Sequence, residues 1–313
     1  MTAGNTGRVT AEEAEAFLRE HYVGRIGGVA AIGDGEWSSA FGFQLEDQHR
    51  VVRFGFHRDD FERDLYVSRV SSVSLPVPRV LEIGEALGRH YAVSERLFGE
   101  YLDVLDGSAF ATALPGLFEA MDAMRDVPLP GRQFGEIDGN GLAMFADWRT
   151  FLLSVVEPSD RLPGWRRNLG ADSAGLGVFE DGLRMLESVA PSGIEPHLVH
   201  SDLLNFNVLV REGRLSGVLD WGCALAGDHL YDVAWLLYFQ RTYPAWASVD
   251  LLGTARAHFA RTGLAVPNLA PRLEACLLHI GLGDLRYNAF ARRPEGIEAA
   301  SRRMRQVMAS SPT

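Results

Sequence analysis

The sequence contains no lysine: every one of its thirty Lys and Arg residues is an arginine. This absence excludes chemistry that forms a Schiff base on a lysine amine. Cysteine is almost absent as well, because Cys223 and Cys276 are the only two in the chain. A disulfide framework is therefore excluded.

Long apolar runs and excess positive charge are also lacking. No stretch approaches the roughly 18 apolar residues that a membrane span needs, and the polar segment 1–7 lacks the apolar region of a signal peptide. The formal net charge of −11 disfavours nucleic-acid binding through a basic surface. We expect a cytoplasmic monomer that binds neither membrane nor nucleic acid, and whose acidic surface attracts a cationic small molecule.

The most informative segment runs from His200 to Asn207 and fits the pattern H-x-D-x-x-x-x-N. Asp202 and Asn207 have the spacing of the base and the metal-binding Asn in the catalytic loop of protein kinases. Asp220 then opens Asp-Trp-Gly, where a kinase has Asp-Phe-Gly. The pattern predicts a phosphoryl-transfer site in which Asp202 accepts a hydroxyl proton and His200 supports the loop.

Two short apolar segments, 208–210 and 215–219, read as a strand hairpin joined by a turn. Such a hairpin would bring Asp220 back beside Asn207, and carboxylate and amide oxygens are ligands that suit Mg²⁺. A chance match would leave these residues as ordinary loop side chains. The hairpin and the second Asp favour the catalytic interpretation.

A glycine-bearing hairpin precedes this region, with alternating apolar residues on the strand that follows its tip. Its tip would lie over phosphates, with the hydroxyl groups of Ser38 and Ser39 as donors. The alternative is a plain β-hairpin, because the segment lacks the G-x-G-x-x-G pattern. On the returning strand Arg53 lies between two apolar residues and needs a partner. The carboxylates of Glu62 and Asp64 on the next predicted helix are both candidates.

The strand-rich part of the sequence ends near Leu97, and helical periodicity dominates afterwards. We therefore expect a nucleotide-binding lobe at 1–97 and a catalytic and substrate-binding lobe at 98–313. In the second lobe, the pattern predicts a helix over 114–124 with Pro115 in its first turn. A further helix is predicted to be capped by Asp228.

Taken together, these residues resemble the aminoglycoside phosphotransferase family. The resemblance covers most of the chain, and a proline segment and two further motifs point more narrowly to hygromycin kinases within that family. The matching motifs are Val51-Val52-Arg53, Leu75-Pro76-Val77-Pro78, Trp148-Arg149, His200-Ser201-Asp202, Asn207-Val208-Leu209, Asp220-Trp221 and Ile280-Gly281-Leu282. At Ser201 the sequence departs from the family, which usually has Gly there.

The resemblance implies an α+β, bilobal protein-kinase-like fold, with a small β-rich N-terminal lobe, a larger helical C-terminal lobe and the nucleotide in the cleft. It implies that Asp202 is the base, that Mg²⁺ binds at two further side chains, and that ATP or GTP is the donor. It also implies that Asn207 and Asp220 bind the metal and that Arg53 binds the phosphates. The partner of Arg53 would be Asp64 rather than Glu62, and Glu95 and Leu97 would belong to the hinge that faces the adenine.

The resemblance further implies O-phosphorylation of a cationic aminoglycoside, hygromycin B, and resistance to it. Candidate substrate contacts are Asp228, Tyr238, Asp284 and Glu298, although capping, solvation or core packing would also explain each of them. Two alternatives stay open. The first is a kinase of the same fold acting on a choline-like amine, a sugar or a macrolide. The second is a nucleotide-binding regulator without turnover.

Overall fold

A computed structural model describes residues 8–35, 37–171 and 173–310 of the chain. Its first element is helix α1 (Ala11–His21), which begins at a capping box. The hydroxyl oxygen of Thr10 accepts the Glu13 N–H at 3.2 Å, and the Glu13 carboxylate accepts the Thr10 N–H at 2.9 Å. Ala14 and Leu18 bury the inner face of this helix against the sheet that follows.

That sheet is antiparallel and has the strand order β1-β2-β3-β5-β4. Helix α2 joins β3 to β4. The residues on the two faces of the sheet alternate, so that one face packs on α1 and the other on α2. The bounds of these elements are β1 (Ile26–Asp34), β2 (Ser38–Leu45), β3 (Gln48–Gly55), α2 (Arg58–Ser68), β4 (Val80–Ala86) and β5 (Arg89–Glu95).

The rest of the chain is mainly helical and contains two small sheets, with the strand orders β10-β9-β6 and β7-β11-β8. Helix α9 lies at the centre, where α5, α6, α7 and α10 pack around it. The elements are β6 (Glu100–Tyr101), α3 (Gly107–Arg125), β7 (Gly135–Glu136), α4 (Trp148–Leu153), α5 (Trp165–Gly170), α6 (Ser173–Val189), β8 (His197–Val199), β9 (Val208–Arg211), β10 (Arg214–Val218), β11 (Leu225–Gly227), α7 (Tyr231–Phe239), α8 (Leu251–Thr262), α9 (Leu269–Phe290) and α10 (Pro294–Ala309).

Two expectations about helix starts are wrong. Helix α3 begins at Gly107, because the carboxylate of Asp106 caps it by accepting the Ala109 N–H at 2.8 Å. Pro115 therefore lies inside the helix and not in its first turn. Asp228 does not cap α7, whose N-cap is Leu230; its carboxylate instead accepts the Leu230 N–H at 2.9 Å.

Within residues 8–35, 37–171 and 173–310, no helix is both long enough and apolar enough to cross a membrane.

Candidate active site

The catalytic loop leaves β8 and is held at its start by a buried carboxylate. Asp232 on α7 accepts the backbone N–H of His200 at 2.9 Å and that of Ser201 at 2.8 Å. The His200 Nε2–H donates to the Leu219 carbonyl at 2.8 Å, and its Nδ1 accepts the Asp202 N–H at 3.2 Å. Burial lowers the pKa of His200 to about 4, so the ring is neutral and fixes the loop by hydrogen bonds alone.

The next residue shows why the family usually has glycine here. Ser201 has a φ of 62°, a left-handed conformation that glycine adopts readily and other residues rarely. Its hydroxyl donates to the Cys223 carbonyl at 2.6 Å. This hydrogen bond offsets part of the conformational cost, and the loop keeps its course.

Asp202 is surrounded by amide donors from its own loop. The Asn205 Nδ2 donates to Asp202 Oδ1 at 2.7 Å, and the Asn207 Nδ2 donates to Asp202 Oδ2 at 3.1 Å. Burial, reinforced by the negative charges of Asp220 and Asp103, nevertheless raises the pKa of Asp202 to about 8. The raised pKa makes the ionised carboxylate more basic, which favours its accepting a proton from a hydroxyl group.

The hairpin of β9 and β10 brings Asp220 back to this loop, as the sequence predicts. The Leu219 N–H donates to the Asn207 carbonyl at 2.7 Å, so Asp220 follows directly beside Asn207. About half of the Asp220 side chain is exposed. Because the amide nitrogen of Asn207 faces Asp202, its amide oxygen is the atom left for a cation.

These two oxygens fit a hard divalent cation such as Mg²⁺, which usually combines one or two protein oxygens with phosphate and water. Within the described part of the chain, no group of three or more His, Cys, Asp or Glu residues could hold a metal by itself. A cation at Asn207 and Asp220 would take its other ligands from water and from the phosphate oxygens of a bound nucleotide.

Arg53 forms the predicted pair between the strand and the helix. Its guanidinium contacts the Asp64 carboxylate on α2, and its Nη1 lies 3.3 Å from Asp220 Oδ1. The other oxygen of Asp64 accepts the Trp221 N–H at 2.8 Å. Glu62, the other candidate, pairs with Arg58 on the surface. Asp64 therefore connects the strand arginine to the Asp-Trp-Gly segment.

A buried arginine on α2, which the sequence motifs do not identify, strengthens this connection. Arg63 is buried and donates to the Ile137 carbonyl at 2.5 Å and to the Gly222 carbonyl at 2.8 Å. It also pairs with Asp60 at 3.1 Å. The only signal in the sequence is a charged residue on the inner face of an amphipathic helix, which indicates a buried partner without naming it.

The glycine-bearing hairpin meets the expectation only in part. The strand register pairs Ala40 with Arg53, so Ser38 lies on the same face of the sheet as Arg53. Ser39 lies on the opposite face with Phe41 and is only 8% exposed. Ser39 is therefore not placed to donate to phosphates. Part of the turn, at position 36, lies outside the described residues.

The predicted hinge joins the five-stranded sheet to β6, which pairs with β9 of the catalytic hairpin. Glu95 ends β5 and donates its N–H to the Arg79 carbonyl at 3.0 Å, while the Arg96 N–H donates to the His49 carbonyl at 3.3 Å. Leu97 packs on Gly217 of β10, where an added Cβ would lie 3.3 Å from Leu97 Cδ1. The segment thus connects the five-stranded sheet to the sheet that contains β9 and β10.

The four predicted substrate residues are not brought together, because they belong to three separate pairs. Asp228 has no exposed surface, and its carboxylate accepts hydrogen bonds from Nε and Nη2 of Arg272 at 2.9 and 2.6 Å. The buried Tyr238 donates its hydroxyl to Asp284 at 3.0 Å. Their burial contradicts the expectation that Asp228 and Tyr238 contact a substrate. Asp284 also pairs with Arg303 at 2.5 Å, and the exposed Glu298 pairs with Arg302.

Acidic residues from other segments surround the catalytic loop instead. Asp103 accepts the N–H groups of Asn205 and Phe206, and Asp60 and Glu136 lie beside Arg63, whose guanidinium donates to the Gly222 carbonyl. A cleft lined with carboxylates raises the local concentration of cationic ligands. Glu136 and Asp60 could not be chosen from the sequence, because neither belongs to a local motif.

Comparison with known proteins agrees with this geometry. The model of the phosphotransferase enzyme family matches residues 29–271. The hygromycin-B 4-O-kinase of Escherichia coli is 32% identical over 283 residues, which are 88% of this chain and 79% of that protein. A homoserine kinase of Methylorubrum populi is 24% identical over 241 residues, 72% of this chain and 68% of that protein.

Solved structures extend the agreement to the fold. Aminoglycoside phosphotransferase APH(4)-Ia, as a thermostable mutant in a ternary complex with AMP-PNP and hygromycin B, superimposes with a TM-score of 0.80 at 30% identity. The match covers 95% of this chain and 98% of that one. Aminoglycoside 2'-phosphotransferase-IIIa gives a TM-score of 0.63 at 14% identity, covers 96% and 99% of the two chains, and supports the fold alone. The expected bilobal, kinase-like α+β fold is confirmed.

Proposed function

Because the chain belongs to the phosphotransferase enzyme family, we propose that it transfers the γ-phosphoryl group of ATP to a hydroxyl of an aminoglycoside, with hygromycin B as the acceptor. The observation that carries the proposal is the convergence of Asp202, Asn207 and Asp220 at one end of a hairpin, with Arg53 beside Asp220. Phosphoryl transfer needs these parts: a proton acceptor, hard oxygen ligands and a cation for the phosphates.

On the donor side, Arg53 does the work that a strand lysine does in protein kinases. The Asp64 carboxylate holds its guanidinium in place, and the remaining donors of the guanidinium are directed to the phosphates. Mg²⁺, when bound at Asn207 and Asp220, neutralises charge on the phosphate oxygens. ATP is the proposed donor and GTP the alternative, with the purine held against the hinge segment 95–97.

On the acceptor side, Asp202 takes the proton of the attacking hydroxyl. The amides of Asn205 and Asn207 fix its two oxygens, so that the carboxylate is already oriented before the acceptor arrives. The negative charges of Asp103 and Asp220 near Asp202 favour an acceptor that carries several ammonium groups. Aminocyclitol antibiotics have that chemistry, whereas a neutral sugar or a macrolide gains less from it.

The biological consequence that we propose is resistance, because a phosphoryl group places negative charge on a drug that binds as a cation. The need for ATP supports a cytoplasmic site of action. Expression in a sensitive bacterium would raise its tolerance to hygromycin B. Loss of that effect in an Asp202→Ala variant of equal abundance would tie the tolerance to catalysis.

The role of Asp202 is tested with the near-isosteric Asp202→Asn variant. A positioned general base contributes about 10²- to 10⁴-fold, so kcat falls by that factor while ATP affinity is retained. Phosphoryl transfer at the wild-type rate would exclude Asp202 as the base. A negligible rate for the wild-type protein itself would instead support the alternative of a nucleotide-binding regulator without turnover.

A second candidate is favoured by the relatives that are homoserine kinases, at 24 to 26% identity. That function is transfer to the hydroxyl of a small amino alcohol. A panel of hygromycin B, other aminoglycosides, choline, homoserine and a neutral sugar, assayed by ADP release, separates the two. Activity confined to the small alcohols would replace the aminoglycoside proposal.

A further inference from the structure

Asp103 lies far from the catalytic loop in sequence and contacts it directly in the structure. It belongs to the short turn Leu102–Val104 that follows β6. Its Oδ1 accepts the Asn205 N–H at 2.9 Å, and its Oδ2 accepts the Phe206 N–H at 3.0 Å. The hydroxyl of Tyr243 also donates to Oδ1, at 2.7 Å. One carboxylate therefore collects three donors from two distant segments.

The loop residues that it holds have an uncommon backbone. Asn205 and Phe206 are consecutive non-glycine residues with φ values of 60° and 66°. L-residues occupy this left-handed region rarely, and usually singly. Successive backbone N–H groups in a turn can point towards one place and form a concave anion site, and the N–H groups of Asn205 and Phe206 do so here. In this protein the anion in that site is the side chain of Asp103.

The third donor is itself held rigidly. The ring of Tyr243 stacks on Trp246, with centroids 4.0 Å apart, and Trp246 stacks on Phe110 at 3.9 Å. Trp246 is buried and donates its indole N–H to the Leu105 carbonyl at 2.8 Å. The phenol of Tyr243 thus adds a hydrogen bond that fixes Asp103 beside the loop.

The contact between Asp103 and the loop bears on the orientation of Asp202, the proposed base. The side chain of Asn205, whose backbone Asp103 holds, donates to Asp202 Oδ1, and Asn207 follows two residues later. We propose that Asp103 is a positioning residue for phosphoryl transfer, which sets the conformation of Asn205 and Phe206 and thereby orients Asp202. This inference rests on the proposed function, because it requires Asp202 to act on an acceptor.

The test compares Asp103→Ala, Asp103→Asn and Asp106→Ala in the full-length protein. Asp106 is a matched control, three residues away, whose carboxylate caps α3 and makes no described contact with the loop. A misplacement of the base by about 1 Å costs on the order of 100-fold, so we expect a fall of that size in kcat for Asp103→Ala. Asp103→Asn keeps one acceptor oxygen and should fall between that variant and the wild type.

Two further readouts distinguish positioning from general stability. The KM for ATP should stay within about twofold of the wild-type value, because the lost interaction acts in the transition state. Amide hydrogen exchange at Asn205 and Phe206, measured by NMR, should accelerate in Asp103→Ala. Asp106→Ala should lower the melting temperature, while its kcat and the exchange at those two amides stay unchanged.

Two outcomes would overturn the inference while leaving the proposed function standing. One is an active wild type with an Asp103→Ala variant of equal kcat. The other is an Asp106→Ala variant that loses kcat to the same degree, because the loss would then follow stability. A wild-type protein that transfers no phosphoryl group to any acceptor would overturn the proposed function, and the role of Asp103 in it at the same time.

Discussion

The carboxylate of Asp64 accepts the backbone N–H of Trp221 at 2.8 Å. This hydrogen bond joins α2, which packs on the five-stranded sheet, to the Asp-Trp-Gly segment. The same carboxylate forms the ion pair with Arg53. The position of α2 therefore affects both Arg53, the proposed phosphate-binding arginine, and the backbone that carries Asp220. Asp64 links these two parts of the proposed site through one side chain.

Replacing Asp64 by Asn removes the charge that holds Arg53 while keeping the size of the side chain. Hydrogen bonds to charged groups contribute about 1.5–3 kcal/mol, so the KM for ATP should rise by roughly 10- to 100-fold. Glu62→Gln, on the same helix but paired with Arg58 at the surface, is the matched control and should leave the KM for ATP unchanged. Equal KM values in the two variants would remove Asp64 from the phosphate site.

The buried pair of Asp228 and Arg272 should contribute to folding and not to substrate binding. Arg272→Met leaves the Asp228 carboxylate buried without its partner, which costs about 3–5 kcal/mol in free energy of unfolding. Arg302→Met breaks only the exposed pair with Glu298 and should cost less than about 1 kcal/mol. Urea denaturation measures both.

The KM for hygromycin B is the measurement that can contradict this assignment. If Arg272→Met has the same midpoint of urea unfolding as the wild type and instead raises the KM for hygromycin B, the structural role assigned to Asp228 is wrong.

Stability should fall on mild acidification because of His279. Burial lowers the pKa of His279 to about 3, and its Nδ1 accepts the hydroxyl of Tyr231 at 2.8 Å. The unfolded chain, with a histidine pKa near 6.5, binds the proton first, so protonation favours unfolding as the pH falls below about 6.5. Between pH 6.5 and pH 5 this group should remove about 2 kcal/mol of stability.

His279→Gln keeps an acceptor for Tyr231 and cannot titrate. Its free energy of unfolding, measured in urea at pH 7 and pH 5, should therefore change less than that of the wild type by about 2 kcal/mol. The same pH dependence in both proteins would show that folding does not lower the pKa of His279.

The parts of the site that could be predicted from the sequence are those set by local patterns. The turn between β9 and β10 fixes Asp220 beside Asn207, and the short connection between β3 and α2 limits the partners of Arg53 to a few carboxylates. The error at Ser39 has a local reason as well. Ser39 lies two residues before the buried Phe41 on the same strand, so both side chains point to the same, inner face of the sheet.

Other parts could not be predicted, because their partners are distant in the chain. Asp103 meets Phe206 across 103 positions, and Asp228 meets Arg272 across 44. Neither contact leaves a periodicity or spacing that a single sequence would reveal. The acidic residues selected by charge, Asp228, Asp284 and Glu298, all lie in ion pairs with arginines instead.

The most direct test of the account is a competition between two acceptors in one reaction. Purified protein with ATP and Mg²⁺ is given hygromycin B and homoserine at equal concentration, and the products are identified by mass spectrometry, with Asp202→Asn as the blank. The account predicts hygromycin B carrying a single added phosphoryl group, unmodified homoserine, and neither product with the variant. Phosphorylated homoserine beside unmodified hygromycin B would contradict it.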